Sequence, residues 1–226
     1  MQIILQRDRT LLNMQNKFGH TPLYTACRYG HSEAAKLLLS IRDCSVNIRD
    51  NDHDTVLHAA SWRDDIEVMQ LILQRDRTLL NMQNKYGDTP LHAACNFGRI
   101  EAAKLLLSIR DCSVNIRDND HDTVLHTAAK KVDIEIMQLI LQRDRTLLNM
   151  QSKKGFTPLH KACYWGLVIA VKYLLAQTDC MVNKRDFSFP RGRTALDIAR
   201  KKGNIEIIEL LIQHGAKSNK SKYTCL

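Results

Sequence analysis

Apolar residues come in two short stripes followed by a polar stretch, and this cycle recurs along almost the whole chain. Between Thr89 and Asn119 the first stripe is Leu91, Ala93, Ala94 and Cys95. Thr89 suits an N-cap, and Pro90 suits the first helical position, where its missing N–H and fixed φ cost nothing. The spacing predicts a helix that ends near Gly98, because glycine tolerates the left-handed conformation of a C-terminal cap. A second stripe, Ile100, Ala102, Ala103, Leu105, Leu106 and Leu107, predicts a second helix that stops in the polar stretch Ser108 to Asn119. Two short antiparallel helices and a polar finger make one unit. Thr21, Thr55, Thr89, Thr123 and Thr157 open such units at a constant spacing of 34, and Thr194 opens a sixth after 37. A period of this size signals a solenoid in which each unit buries its apolar face only on its neighbours.

These residues carry a family resemblance. Thr-Pro-Leu-His stands at 89 to 92 and 157 to 160, with Tyr24 for the His at 21 to 24, and Gly30, Gly98 and Gly166 follow. The chain resembles the ankyrin-repeat family, which implies an all-α solenoid of paired antiparallel helices with β-hairpin-like fingers. The expected layout is one domain over 1–226: a partial repeat at 1–15, repeats at 16–49, 50–83, 84–117, 118–151, 152–185 and 186–218, and a flexible tail at 219–226. The second and fourth repeats depart from the pattern, with Val56 and Val124 for Pro, Asp64 and Val132 for the mid-repeat Gly, and His53 and His121 for the fingertip Gly. Irregular turns are expected there. Met1 to Met14 matches the second half of a repeat, at Met69 to Met82, with one change, so the chain reads as starting mid-repeat, as a fragment of a longer array or a gene model begun at an internal Met would.

Overlaying 1–68 on 69–136 gives 53 identities and 15 differences, so the internal unit is a pair of repeats. Thirteen of the differences cluster at 18–32 and 59–64, whereas 33–58 matches 101–126 throughout, including residues such as Lys36, Arg42 and Asp43 that should be exposed. The family resemblance implies that fingertips and the exposed side of the first helices form a concave groove for partner proteins. Most variable positions map there, although patchy copying between DNA repeats produces the same clustering. The resulting candidate contacts are Phe18, Tyr29, Asp52, Trp62, Tyr86, Phe97, Lys154, Tyr164 and Trp165. The finger before Thr194 adds Phe187, Phe189, Arg191 and Arg193, because its three extra residues put aromatics where no core is obvious. They either fold back on a neighbouring finger or form an apolar tip with a basic rim. Aromatics and Arg are the residue types that concentrate binding energy at interfaces. Acidic and aromatic-basic stripes should alternate along the groove.

Charge refines this picture. The net charge is +9, yet 1–150 contains 19 Lys+Arg against 19 Asp+Glu, and 151–226 contains 14 against 5. The whole excess lies in the C-terminal third. It serves as a solvated cap surface or meets an acidic partner; nucleic acid is the weaker alternative, with no recognised module to support it. Six of the seven cysteines occupy repeat positions and read as small buried thiols, with no Cys-x-x-Cys spacing to suggest zinc. Reduced thiols point to the cytoplasm, with the nucleus or, for an effector, a host cell as alternatives. No apolar run reaches the roughly 18 residues of a membrane span, and no signal peptide is visible.

His58, His92, His126 and His160 recur one per repeat, but the same slot holds Tyr24 and Asp197, an exchange that a metal-ligand set would not accept. They read as hydrogen-bonding helix-start residues. No phosphate loop, metal-binding His-Glu-x-x-His or nucleophile setting is present, so no cofactor, metal or catalysis is expected. The resemblance implies one modification, hydroxylation of Asn47, Asn115 and Asn183, each after Val with Leu eight positions earlier. The terminal Thr224-Cys225-Leu226 fits a PDZ ligand. The leading functional reading is a monomeric, non-catalytic scaffold that binds a protein through its groove and fingertips. The alternative is a targeting or regulatory segment of a larger or host-directed protein.

Overall fold

The computed structural model describes residues 9–131 and 133–217. They fall into two compact units, one within Met1–Asn119 and one within Asp120–Leu226. All regular elements among the described residues are helical.

In the first unit the helix pairs are α1 (Pro22–Tyr29) with α2 (Ser32–Leu39), α3 (Val56–Ser61) with α4 (Ile66–Arg75), and α5 (Pro90–Asn96) with α6 (Ile100–Ser108). First helices stack on first helices, α1 on α3 and α3 on α5, and second helices on second helices, α2 on α4 and α4 on α6. In the second unit the pairs are α7 (Val124–Ala129) with α8 (Ile134–Arg143), α9 (Pro158–Trp165) with α10 (Val168–Leu175), and α11 (Ala195–Lys202) with α12 (Ile205–Gln213), stacked in the same two rows. Small residues make the first row close-packed: Ala59, Ala60, Ala94 and Cys95 are buried in one unit, Ala128, Ala162, Cys163 and Ala199 in the other. Larger apolar side chains such as Met69, Ile72, Leu79 and Leu106 fill the space beneath, each contributing about 1.5–3 kcal/mol by leaving water.

The expected caps are present. Thr55 and His58 form a reciprocal box in which the Thr55 N–H donates to His58 Nδ1 (3.1 Å) and the His58 N–H donates to Thr55 Oγ1 (3.4 Å). With Nδ1 accepting, the proton sits on Nε2, which donates to the Asp88 carbonyl of the next finger (3.0 Å). His126 and His160 repeat the arrangement toward Phe156 and Arg193. Asp197 closes the same box by accepting the Thr194 N–H at 2.9 Å, which explains why Asp substitutes there. Val56 and Val124 start their helices without Pro, because the Thr box defines the start and their side chains are buried.

The non-glycine departures retain the turn geometry and bear its strain. His53, Asp64 and His121 adopt φ of 62°, 62° and 58°, the left-handed region that glycine would enter freely. Asp64 gains a compensating bond: its Oδ1 accepts the Ala102 N–H (2.6 Å) in the first turn of α6, whose own N-cap, Arg99, makes no side-chain cap. Val132, at the equivalent position, lies outside the described residues.

The fingers are turns rather than strand pairs. The finger at 84–88, for example, closes on two backbone bonds, Asn84 N–H to Asp88 O (2.9 Å) and Gly87 N–H to Asn84 O (3.0 Å), and is linked to the next by a third, Asn119 N–H to Tyr86 O (2.9 Å). Short 3₁₀ turns stand at Arg9–Asn13, Arg77–Asn81 and Arg145–Asn149. Side chains in these turns and at the helix end before them lace neighbouring repeats. Asn81 bridges the Asp111 carbonyl and the Ser113 N–H, and the Arg75 guanidinium donates to the carbonyls of Leu39, Ile41, Arg42 and Cys44. Such hydrogen bonds connect the segments that the duplicated sequence holds identical.

Candidate functional site

Tyr29, Trp62 and Phe97 leave the C-terminal ends of α1, α3 and α5, and Asp52 and Tyr86 stand on the fingers of the second and third of these repeats. The first unit brings these five together around a groove of about 530 Å³. Tyr29, Tyr86 and Phe97 are exposed and Trp62 is half-buried. The Trp62 and Phe97 rings lie 5.8 Å apart at 51°, and the Arg28 guanidinium sits 4.8 Å from the Trp62 ring. Arg63 and Arg99 donate through Nε to the backbone carbonyls of Arg28 (2.5 Å) and Trp62 (2.7 Å), which orders that wall. On the finger side Lys85 pairs with Asp52 and lies 5.0 Å from the Tyr86 ring.

Asp54 lines the same groove, and the sequence did not single it out. It is 4% exposed, and its Oδ1 accepts from Asn84 Nδ2 (2.8 Å). Burial pushes its carboxyl up to about 6; the Asn84 hydrogen bond acts in the opposite direction, Asp50 and Asp52 add to the rise, and Arg28 opposes it. Asp122, a second-unit residue at the same place in the identical fingertip at 118–122, is 1% exposed but meets Lys161 Nζ at 2.7 Å and Lys130 Nζ at 3.1 Å. Burial raises its pKa too, but His126 and the two lysines outweigh this and hold it below the ordinary carboxylate value. The residues matching Lys130 and Lys161 in the first unit are Trp62 and Ala93. That exchange was readable as a difference between copies, but its partner carboxylate was not.

Phe18 lies outside the groove lining, with Lys17 5.0 Å from its ring. In the second unit Tyr164 and Trp165 are exposed and meet edge to face at 5.5 Å, with Lys202 Nζ 4.0 Å from the Tyr164 ring. Buried Phe156 supports Tyr164 from below at 6.3 Å. Lys154 and Arg191 are exposed on the fingers. Arg193, by contrast, is turned inward: its side chain pairs with the buried Asp186 at 2.9 Å and its N–H donates to the same carboxylate at 2.7 Å. Of the two finger aromatics, Phe187 is 66% exposed with its ring beside Gly155, whereas Phe189 is 97% exposed. Asn47, Asn115 and Asn183 are exposed, and Asn183 also bonds the Gly215 carbonyl and the Lys217 N–H. Thr224 to Leu226 lies outside the described residues.

A family model described as ankyrin repeats (3 copies) matches residues 2–79, 77–147 and 145–222. The chain belongs to the ankyrin-repeat family. Its repeats are similar to the human ASB11 ankyrin repeat domain, with a TM-score of 0.72 at 25% identity over 88% of this chain and 85% of that one. A chain from the Bd0816 predatory endopeptidase of Bdellovibrio bacteriovorus in complex with immunity protein Bd3460 shares the fold, with a TM-score of 0.75 at 20% identity over 88% and 99%. No curated protein matches. Ankyrin repeats are protein-interaction modules and are typically non-catalytic.

Five of the six repeat-position thiols follow the packing role read from the sequence, and the sixth, Cys180, is half-buried. Cys27, Cys44, Cys95, Cys112 and Cys163 are buried, and burial pushes Cys27 up to about 12 and raises Cys44 and Cys163. Thiols so disfavoured as thiolates are poor nucleophiles. Among the described residues no group of three or more His, Cys, Asp or Glu is placed to hold a metal ion, and no helix is long and apolar enough to cross a membrane.

Proposed function

We propose that this protein is a non-catalytic scaffold that captures a partner protein in the groove of its first unit. The observation that carries this reading is the convergence of Tyr29, Asp52, Trp62, Tyr86 and Phe97, which come from three successive repeats, on one depression. Aromatic side chains standing in solvent do not stabilise the array, and their cost is recovered when a partner buries them. The experiment is affinity capture with the intact chain and with a Trp62→Ala, Phe97→Ala variant, compared by quantitative mass spectrometry. A groove partner should be retained by the first and weakened about 30-fold or more by the loss of two anchors of roughly 2 kcal/mol or more in total. An identical capture profile would overturn the assignment.

The second unit supports an accessory contact to an acidic surface. Lys202 over Tyr164, the exposed Trp165 and the Phe189 tip beside Arg191 combine apolar anchors with positive charge. Phe189→Ser should leave the melting temperature within the range of an ordinary surface change, about ±0.5 kcal/mol, while weakening that partner. A clear loss of thermal stability would instead make the tip a structural clasp.

A further inference from the structure

The two identical fingertips, Asp50 to Asp54 and Asp118 to Asp122, pose the same chemical problem and only one of them is solved within the chain. Asp122 Oδ2 receives two ammonium groups, Lys161 and Lys130. Asp54 is as deeply set, and its Oδ2 has no hydrogen-bond or ion-pair partner among the described residues, although Asn84 serves Oδ1. A buried carboxylate without a cation is costly, and an incoming cation recovers that cost. The space that Lys161 fills in the second unit is open here, because Ala93 stands in its place and lines the groove. The neighbouring cations do not fill it: Arg28 lies over Trp62, Arg63 and Arg99 donate Nε to carbonyls, and Lys85 is paired with Asp52.

We propose that the groove of the first unit recognises a lysine side chain presented by the partner protein, with its ammonium on Asp54 Oδ2 in the place that Lys161 takes on Asp122. The inference rests on the scaffold reading and adds the chemistry of the occupant. Trp62 and Phe97 form the wall along which the aliphatic stem lies, and an ammonium near such rings gains from their π faces. Trp62 thus has a double role, since it removes the intrinsic lysine found at position 130 and supplies an aromatic surface for a foreign one.

The test uses the intact chain and three capped pentapeptides, acetyl-Gly-Gly-X-Gly-Gly-amide with X as lysine, arginine or norleucine, titrated by NMR with the Trp62 indole N–H and the Ala93 amide as reporters. The lysine peptide should bind saturably and about tenfold or more tighter than the norleucine peptide, the difference expected of one charge-assisted hydrogen bond. Asp54→Asn should abolish that difference. Ala93→Lys, which restores the intramolecular lysine of the second unit, should abolish binding and raise the melting temperature. Because position 161 already carries lysine on the equivalent helix, this variant is compatible with the fold. Norleucine binding as tightly as lysine, tighter binding of arginine, or an undiminished preference in Asp54→Asn would each overturn the lysine assignment while leaving the groove intact. No saturable shift with any peptide would overturn the lysine assignment; if the Trp62→Ala, Phe97→Ala variant also loses no partner, the scaffold reading fails as well.

Discussion

Acidification from about pH 7 to about pH 4 is expected to destabilise the second unit more than the first. Burial lowers both His126 and His58 from 6.5 to about 4, and it lowers His160 as well. A neutral buried imidazole binds fewer protons than the same residue in the unfolded chain, so its stability contribution is present above pH 6.5 and is lost as the pH falls toward 4. The difference between 6.5 and about 4 corresponds to about 3 kcal/mol for one histidine. Each unit holds two buried histidines of the helix-start box, His58 and His92 in the first and His126 and His160 in the second, so the difference between the units rests on their buried carboxyls. In the first unit Asp54 acts against His58, because a carboxyl raised to about 6 stabilises the fold as it takes up its proton between about 6 and 4. Hydrogen exchange read by mass spectrometry at several pH values would resolve the two units. Asp54→Asn should raise stability at neutral pH and make the first unit steeper in its acid response. Equal acid sensitivity in the wild type, unchanged by that substitution, would contradict the assignment.

Replacing Gly87 by alanine is expected to cost about 3 kcal/mol, far more than the same change at Gly203. Both residues hold positive φ, 81° and 71°, so both incur the roughly 1–2 kcal/mol of left-handed strain. At Gly203 a Cβ meets nothing within 4 Å. At Gly87 it would lie 2.7 Å from the Asn119 nitrogen and 2.8 Å from the Asp118 Cα, both backbone atoms. The fingers must then separate, which sacrifices the Asn119 N–H to Tyr86 O bond, worth about 1 kcal/mol. It would also displace Tyr86 from the groove. Urea denaturation of the two variants, with intrinsic fluorescence as the probe, checks the ranking; equal shifts in midpoint would show that the fingers are not packed as described.

The helical pairs, their order and their caps were legible because a repeat of 34 residues states the same local rules several times. Thr at each helix start, small residues on the first helix and glycine at its end act through the backbone within a few residues, so they can be read without knowing what packs where. Exposure of Tyr29, Phe97 and Trp165 followed from the same logic, since these residues sit beyond the apolar stripe, whereas the sequence left Phe189 open between a fold-back and an exposed tip, and the structure exposes it. The identity of 33–58 with 101–126 was readable but its hydrogen-bonding context was not: Arg75 and Asn81 reach residues some 30 positions away to donate to backbone carbonyls, and a carbonyl has no letter in the sequence.

What the tertiary structure alone decided is most evident at the duplicated fingertip. Asp50-Asn-Asp-His-Asp54 and its copy at 118 to 122 are the same five residues, and nothing local distinguishes them. Stacking places position 54 beside Trp62 and Ala93, and position 122 beside Lys130 and Lys161. One carboxyl therefore titrates up toward 6 while the other is held down, because the energy of a buried charge depends on the cations within a few ångströms rather than on its neighbours along the chain. The direction of Arg193, an exposed rim residue by its sequence context, was decided in the same way, by the buried Asp186 that its finger folds around.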